Sequence, residues 1–325
     1  MSERSPILVL LTADGVEPPP DLDAIREIAD VRTATADTLP DTIPGADALL
    51  VWDIFSSALA DAWSAADSLR WVHVAAAGVD AVLFDDLRRS DVLVTNARGV
   101  FDGPIAEYVL ACVLAHDKLL HETEEFRRRG QWAHRETLRV AGRRVLVVGT
   151  GGIGRATARL LRAVGLEVRG AGRTAREDDP DFGTVIDSAH LAAHLADVDH
   201  LVMAAPLTDA TRGLLDAAAL AALPDSAHVI NVGRGALIDQ AALTAEITEG
   251  RLSAHLDVLV SEPLPDGDPL WTLPGAHVSP HMSGDVVGWR RTLSRQFLDN
   301  LRSYAQGVEP GPAVDKRRGY VPGTA

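Results

Sequence analysis

"VLVVGTGGIGRATARLL", Val145 to Leu161, decides the fold of this chain. An apolar run of strand character ends on Gly149, and Gly149, Gly151 and Gly154 form a GxGxxG turn before an amphipathic helical pattern. Strand, glycine turn and helix in that order build the phosphate-binding corner of a doubly wound sheet. The first glycine permits the tight turn and the second lets backbone amides approach a diphosphate. The third lets the helix pack against the strand, and the helix N-terminus adds partial positive charge for the anion. This context distinguishes the turn from an ordinary glycine loop, and a dinucleotide cofactor is expected on it.

The next strand ends in "VRGAGRTAR", Val168 to Arg176. An NAD site commonly places an acidic residue about 20 residues past the turn, to receive the ribose hydroxyls. Gly172 stands there instead, and it cannot accept those hydrogen bonds or repel a 2′-phosphate. Arg173 offers a planar cation, with Thr174 and Arg176 nearby, so NADP is the expected cofactor and NAD the alternative. The competing reading makes Arg173 and Arg176 solvated loop charges.

Outward from the turn, 325 residues suffice for two domains. "PILVLL", "DALLVW", "LRWVHVA" and "DVLVTN" are short apolar runs separated by polar or helical stretches, an α/β pattern ending near Asn96. "PPPDLDAIREIAD" leads into a helix, and one long helix is predicted from about Gly103 to Arg129. Past the glycine turn, "HLVMAAP", "HVINVG", "SAHLDVL" and "AHVSPH" read as further strands, each ending in small, polar or ionisable residues. Open sheets bind ligands beyond such carboxyl edges. "WRRTLSRQFLDNLRSYAQG" reads as a closing helix, and the Pro/Gly-rich tail from Val308 is expected to be mobile.

The formal charge of −15 argues against a general nucleic-acid surface, which needs concentrated Lys and Arg. It says little about a small anionic substrate, since one buried arginine makes a local positive site. Cys112 is the single cysteine, so intrachain disulfides and cysteine-rich zinc sites are excluded, and a buried helical thiol is its plain reading. The N-terminal apolar run is too short for a secretory or membrane-spanning segment, and a cytoplasmic location is expected. No HExxH, calcium-loop or GxSxG pattern occurs, so no metal ligands and no serine nucleophile are expected. His255, His277 and the remaining histidines are read as structural or surface residues.

"VGTGGIG", "AAPLTDATRGLL", "VINVGRGALID", "HLDVLVSEPLPDGDPLW" and "VSPHMSG" appear in an order and spacing that resembles the D-isomer-specific 2-hydroxyacid dehydrogenases, with the character of glyoxylate/hydroxypyruvate or 2-oxo-acid reductases. "HVAAAGVDAV" and "VTNARGVFDGPIAEYVL" extend the likeness backwards. The resemblance implies two Rossmann-like α/β domains: a flavodoxin-like substrate domain (residues 1–96 with 290–325) and a dinucleotide-binding domain (97–289). It implies a cleft between them and a homodimer formed through the long helix.

It also implies site residues. Arg234 matches the arginine that holds a substrate carboxylate, His281 the catalytic acid/base, and Glu262 the acid that partners it. The backbone around Ala77 and Gly78 faces the substrate carboxylate, though a tight turn explains that glycine equally well. The implied cofactor-lining positions are Gly149, Gly151, Gly152, Ile153, Gly154, Gly172, Arg173, Thr174 and Arg176, then Ala205, Pro206, Thr211, Val232, Gly233, Asp257 and Gly284. Helix capping is an alternative for Asp257. Trp52 and Phe55 belong either to the substrate pocket wall or to core packing.

The implied activity is NAD(P)-dependent reduction of a small 2-oxo acid by hydride transfer. Arg suits the carboxylate and polarised carbonyl, His the proton, and Glu the imidazolium. Two other readings stay open. One is a non-catalytic dinucleotide-sensing regulator on the same fold, and the other is an NAD-linked dehydrogenase of a phosphorylated hydroxy acid or formate.

Overall fold

The structure is a computed structural model that describes residues 4–322. It divides into two compact units, one formed by residues up to Phe101 together with those from Val286, the other by Asp102–Asp285. The division falls a few residues from the 96/97 and 289/290 boundaries expected from the sequence. Phe101 and Trp289 lie ring against ring at 6.1 Å, which keeps both flanking segments in the first unit.

The first unit runs β1 (Ile7–Leu11), α1 (Leu22–Arg26), β2 (Asp30–Ala34), α2 (Leu39–Thr42), β3 (Ala48–Val51), α3 (Leu59–Ala62), β4 (Trp71–Val74), α4 (Asp85–Arg89) and β5 (Leu93–Asn96). Its strands are parallel in the order β2-β1-β3-β4-β5. Val9, Leu11, Leu49, Val51, Val72 and Val74 fill the core on one face. Both faces are covered, which is why β1, β3 and β4 read as continuous apolar runs rather than as alternations. β2 was not among the expected strands; "DVRTA" is only partly buried at the sheet edge and carries no such run.

The second unit begins with α5 (Asp102–Asp117) and α6 (Leu120–Arg128), then β6 (Arg144–Val148), α7 (Gly152–Ala163), β7 (Glu167–Gly172), β8 (Arg176–Asp179) and β9 (Gly183–Asp187). It continues through β10 (His200–Met203), α8 (Ala217–Ala222), β11 (His228–Asn231), α9 (Gln240–Thr248), β12 (Ser253–Leu256) and β13 (Ala276–Val278). The sheet order is β13-β12-β11-β10-β6-β7-β9-β8, parallel except for the β8/β9 pair. Reversal of strand order beside β6 is the Rossmann arrangement, with its ligand-binding crevice at the carboxyl edge.

The single helix expected over 103–129 is two helices. Leu119 adopts φ 52° between them, while the carboxylate of neighbouring Asp117 is fully buried 3.4 Å from Arg143. No glycine or proline announces the break.

The chain then returns to the first unit as α10 (Trp289–Ala305), whose Phe297 stacks on Trp71 at 5.4 Å. The tail expected to be mobile is instead tied down as far as it is described. Val314 is buried, its amide donates to Val94 O at 2.8 Å, and Ala313 bridges Thr95 in antiparallel fashion. Backbone pairing beside β5 supplies the order that composition does not suggest. Among the described residues, no helix is long and apolar enough to cross a membrane.

The second unit buries several histidines. Burial first, then the charge of neighbouring rings, pushes His255 down to about 2 and His228 well below its ordinary value. The same causes push His116 and His277 to about 4, with Arg143 adding to the effect at His116 and Asp117 opposing it. In the unfolded chain these rings titrate near about 6.5, so below that pH the unfolded state binds more protons than the folded one. Stability is therefore complete above about pH 6.5 and falls with pH towards the folded values. The urea midpoint should be clearly lower at pH 5 than at pH 7.5, and an equal midpoint would contradict these buried neutral rings.

Candidate active site

The glycine turn works by exclusion of side-chain atoms. Gly149 has φ +113°, and a Cβ on it would stand 2.6 Å from the Ala204 carbonyl group. A Cβ on Gly154 would stand 1.8 Å from Gly149 O, so α7 can start against β6 only with glycine there. Gly152 gives way to the Asp102 carboxylate, 2.2 Å from where its Cβ would be. Gly151 differs: it is exposed, and a Cβ there would meet nothing. Ile153 is half-buried between them.

Gly172 ends β7 directly against this turn. A Cβ there would lie 3.1 Å from Thr150 Oγ1 and 3.3 Å from its methyl carbon, so Thr150 already crowds the place where an acidic side chain would start. Arg173 and Thr174 follow as exposed residues. Arg176 is held otherwise: its Nε donates to Asp179 Oδ2 at 2.8 Å, and Arg155 grips both oxygens of the same carboxylate at 3.0 Å. Burial pushes Asp179 upward, but hydrogen bonds from Arg155, the Asp181 amide and Arg176 win and hold it well below the usual carboxylate range. Arg176 thus belongs to the β8/β9 hairpin, and Arg173 is the arginine at the strand end.

Along the carboxyl edge, the loops after β10, β11 and β12 meet in turn. Thr211 closes the first, donating to Pro206 O at 2.7 Å and accepting from the Thr208 amide at 2.8 Å, with Ala205 buried beneath. Gly233 follows buried Val232, and a Cβ on it would stand 2.9 Å from Ala205 O. A Cβ on Gly235 would stand 1.9 Å from the Leu259 carbonyl carbon and 2.3 Å from the Val260 amide. Between these glycines, Arg234 is fixed from both sides. Asn231 Nδ2 donates to its carbonyl at 2.9 Å, and its own Nη1 donates to Gly233 O at 2.8 Å.

The close approach at Gly235 brings in the loop that carries Glu262. Glu262 Oε1 accepts from the Leu259 amide at 2.8 Å, and Oε2 accepts from His281 Nδ1 at 2.7 Å. The two side chains are 31% and 29% exposed, so the pair is shielded but reachable from solvent. Burial raises the Glu262 carboxyl, yet the hydrogen bonds from His281 and Leu259 and the charges of His281 and Arg234 outweigh it and keep it ionised. Arg234, Glu262 and His281 therefore form one electrostatic group, although they lie far apart in sequence.

His281 has φ 52°, a left-handed backbone that costs a non-glycine residue about 1–2 kcal/mol. Asp257 offsets this. Its carbonyl accepts the His281 amide at 2.8 Å, Oδ1 accepts from Ser279 Oγ (2.6 Å) and the Met282 amide (2.9 Å), and Oδ2 accepts from the Ser283 amide (2.9 Å). Hydrogen bonds to a charged group contribute about 1.5–3 kcal/mol each, more than the backbone costs. The carboxylate that the resemblance sets among the cofactor-lining positions is thereby engaged by the turn carrying His281, with Gly284 buried just beyond. Asn231, Gly235, Ser279 and this positioning role of Asp257 escaped sequence reading. Only the glycine of "NVGRG" carried a signal.

In the first unit, Ala77 and Gly78 follow β4 and are half-buried, and Asn96 Nδ2 donates to Ala77 O. Trp52 is buried, its Nε1 donating to Glu17 O at 2.8 Å, which gives it a packing role. Phe55 is 64% exposed and so is not a core residue.

The D-isomer specific 2-hydroxyacid dehydrogenase family matches residues 110–283 through its NAD binding domain. A glyoxylate reductase of Aeropyrum pernix is 30% identical over 267 residues, 79% of each chain. A D-isomer specific 2-hydroxyacid dehydrogenase of Xanthobacter autotrophicus, solved with NADPH and MES, superposes with a TM-score of 0.81 at 34% identity, covering 98% of this chain and 100% of that one. The NADPH-dependent glyoxylate/hydroxypyruvate reductase of Sinorhizobium meliloti, solved with NADP and sulfate, gives 0.83 at 28% identity over the same shares. The fold and site define an NAD(P)-dependent oxidoreductase. The chain belongs to the D-isomer specific 2-hydroxyacid dehydrogenase family.

Asp257→Asn keeps the volume but sets an amide donor against a donor. Because the residue acts through the His281 turn, kcat should fall by about 10²-fold, the scale of a misplaced acid/base, with the dissociation constant for NADPH nearly unchanged. Weakened NADPH binding with kcat retained would instead make Asp257 a cofactor contact.

Proposed function

We propose that this protein reduces a small 2-oxo acid to the D-2-hydroxy acid, with NADPH preferred over NADH. The observation that carries the reading is the His281 Nδ1 to Glu262 Oε2 hydrogen bond at 2.7 Å, on a carboxylate that also senses the charge of Arg234. Glu262 accepts from Nδ1 and so fixes the tautomer and orients the ring, which leaves Nε2 as the atom that exchanges a proton with substrate oxygen. Arg234 supplies a fixed cation for the substrate carboxylate and polarises the adjacent carbonyl. During reduction, negative charge grows on that oxygen and protonated His281 neutralises it from Nε2. In the reverse direction neutral His281 accepts the hydroxyl proton at the same atom.

The residues present fit a dinucleotide. Gly149 and Gly154 admit no side chain, while Gly151 leaves open space where backbone amides can meet a diphosphate. A bound nicotinamide would supply the hydride. Thr150 crowding Gly172 and the adjacent Arg173 favour a 2′-phosphate over an acid-clamped ribose. The structures solved with NADPH and NADP support the same preference.

The β2-β1-β3-β4-β5 order of the first unit is the flavodoxin order, which supports a flavodoxin-like substrate domain presenting Ala77 and Gly78. Exposed Leu114, Leu120 and Trp132 support a homodimer formed through the α5–α6 region, to be checked by light scattering. A dinucleotide-sensing regulator would have no use for the ordered His281–Glu262 pair.

The test is steady-state reduction of glyoxylate, hydroxypyruvate and bulkier 2-oxo acids with each cofactor. NADPH should give the higher kcat/KM by at least about tenfold, and Arg173→Ala should erode that margin. A tenfold preference for NADH would overturn the cofactor assignment, and no turnover across the panel would favour the regulator. His281→Ala should lower kcat by about 10²–10⁴-fold and spare NADPH binding.

A further inference from the structure

Six histidines of the second unit gather on one side of its sheet, and the oxidoreductase chemistry uses none of them. Successive strands β10, β11, β12 and β13 provide His200, His228, His255 and His277. His200 pairs in register with His228, and His255 with His277. α5 adds His116, whose ring stacks on His228 at 4.3 Å, and α6 adds His121.

Three of these rings converge. One ring nitrogen each from His121, His255 and His277 lies within 4.8 Å of the others. His121 Nε2 is 2.9 Å from His255 Nε2; the His121 and His277 rings stack face to face at 3.7 Å and 18°, so His121 must swing out of the stack for both in-plane lone pairs to meet one ion. Together with Tyr108 and Cys112 they line a pocket of about 270 Å³. We propose that His121, His255 and His277 bind one divalent first-row transition-metal ion, with the pocket leaving a fourth position for water.

The ligand chemistry selects the ion. Three imidazoles suit zinc, copper, nickel or cobalt, whereas magnesium and calcium require oxygen ligands. Zinc with nitrogens at about 2.0–2.1 Å in tetrahedral geometry sets its ligand atoms about 3.4 Å apart. The separations here, from 2.9 Å up to 4.8 Å, bracket that distance. His121 is exposed in the single chain, on the α6 region proposed above as the homodimer face, so a partner subunit would close over this site.

The residues behind His255 supply the independent observation. His255 Nδ1 is 2.7 Å from His228 Nε2, and His228 Nδ1 is 3.1 Å from His200 Nδ1. His200 Nε2 lies 3.3 Å from both Arg143 Nε and Asp117 Oδ1. Asp117 is fully buried, and neither of its oxygens receives a hydrogen bond. With each ring neutral, this file can run in two directions. In one, Arg143 donates to His200, the N–H groups point outward along the file, and His255 Nε2 donates to His121. In the other, His255 Nδ1 donates to His228, His228 to His200, and His200 Nε2 to Asp117. Only the second direction frees the His255 Nε2 lone pair for a metal; it gives Asp117 a hydrogen bond beside its Arg143 ion pair, with Arg143 Nε–H turning from His200 to that carboxylate, 3.4 Å away. Three tautomer shifts connect the two, with no proton gained or lost. A metal-bound histidine whose other nitrogen donates towards a carboxylate is the usual outer support of such sites, here relayed through two further rings.

The ion would tie α6 to β12 and β13, close to Asp257 and Ser279. The sequence expectation of no metal considered local motifs, and these ligands come from different elements. The test uses the tag-free full chain after chelator treatment, titrated with zinc in competition with a chromophoric chelator and separately with cobalt(II). One zinc per chain should bind, cobalt(II) should show the intense visible bands of a four-coordinate site, and Tm should rise by about 5 °C at a hundredfold excess over Kd. His121→Ala and His277→Ala should each weaken zinc binding at least about 100-fold and abolish the cobalt bands. Asp117→Asn should weaken it about tenfold while keeping the one-to-one stoichiometry. Absence of saturable binding, or unchanged affinity in both histidine variants, would overturn the site. Unchanged affinity in Asp117→Asn with its fold intact would overturn the relay.

Discussion

Backbone-on-backbone contact between neighbouring strand-end loops is the constraint on which this site rests. In the sheet, β6, β10, β11 and β12 are successive neighbours. The Cβ position of Gly149 is filled by the Ala204 carbonyl, that of Gly233 is approached by Ala205 O, and that of Gly235 is filled by Leu259 and Val260. Each glycine removes one side chain at the point where one loop meets the next. The result is a row of loops packed through main chain, with the glycine turn at one end and the loop that delivers Glu262 at the other. Such contacts fix geometry more firmly than side-chain packing, because a backbone cannot rotate away from a clash.

The second constraint is electrostatic. His281 sits in a left-handed turn held by hydrogen bonds to Asp257, and its Nδ1 is held by Glu262. Two carboxylates thus divide the labour: buried Asp257 orients the backbone, and partly exposed Glu262 orients the ring and stays ionised. Arg234 contributes to that ionisation while being anchored by Gly233 and Asn231. Arg234 and His281 are therefore coupled through one shared anion.

What was legible in the sequence follows the same physics. The glycine turn and the doubly covered strands announce themselves, because missing side chains and unbroken apolar runs are local signals. β2 and β8 do not, since edge strands carry polar residues and need no apolar run. The break at Leu119 depends on where Asp117 is buried, which is a tertiary fact. The tail is ordered by pairing beside β5, again invisible in composition. Within the site, Arg234, Glu262 and His281 could be joined only by resemblance, and nothing local shows the hydrogen bonds that Asp257 accepts from Ser279, Met282 and Ser283. Arg176 was read with Arg173 as a phosphate partner, while Asp179, three residues on, binds it in the hairpin.

The histidine file shows why residue type alone misleads in the opposite direction. Singly, a histidine in a buried strand is a packed ring, and four such rings on four strands invite four separate dismissals. Parallel register makes them one object: His200 stands beside His228, and His255 beside His277, with helices closing over them. A run of neutral rings in contact has a direction, set by what lies at its ends. At one end is a buried carboxylate lacking a donor, and at the other are three nitrogens around a pocket. A cation at the open end would turn every N–H towards the carboxylate and so satisfy both ends at once. Burial of this many imidazoles is costly if they serve only as filler, since apolar side chains would occupy the volume without desolvating polar atoms. Their arrangement in one connected file is therefore better explained by what the file can hold than by what it packs against.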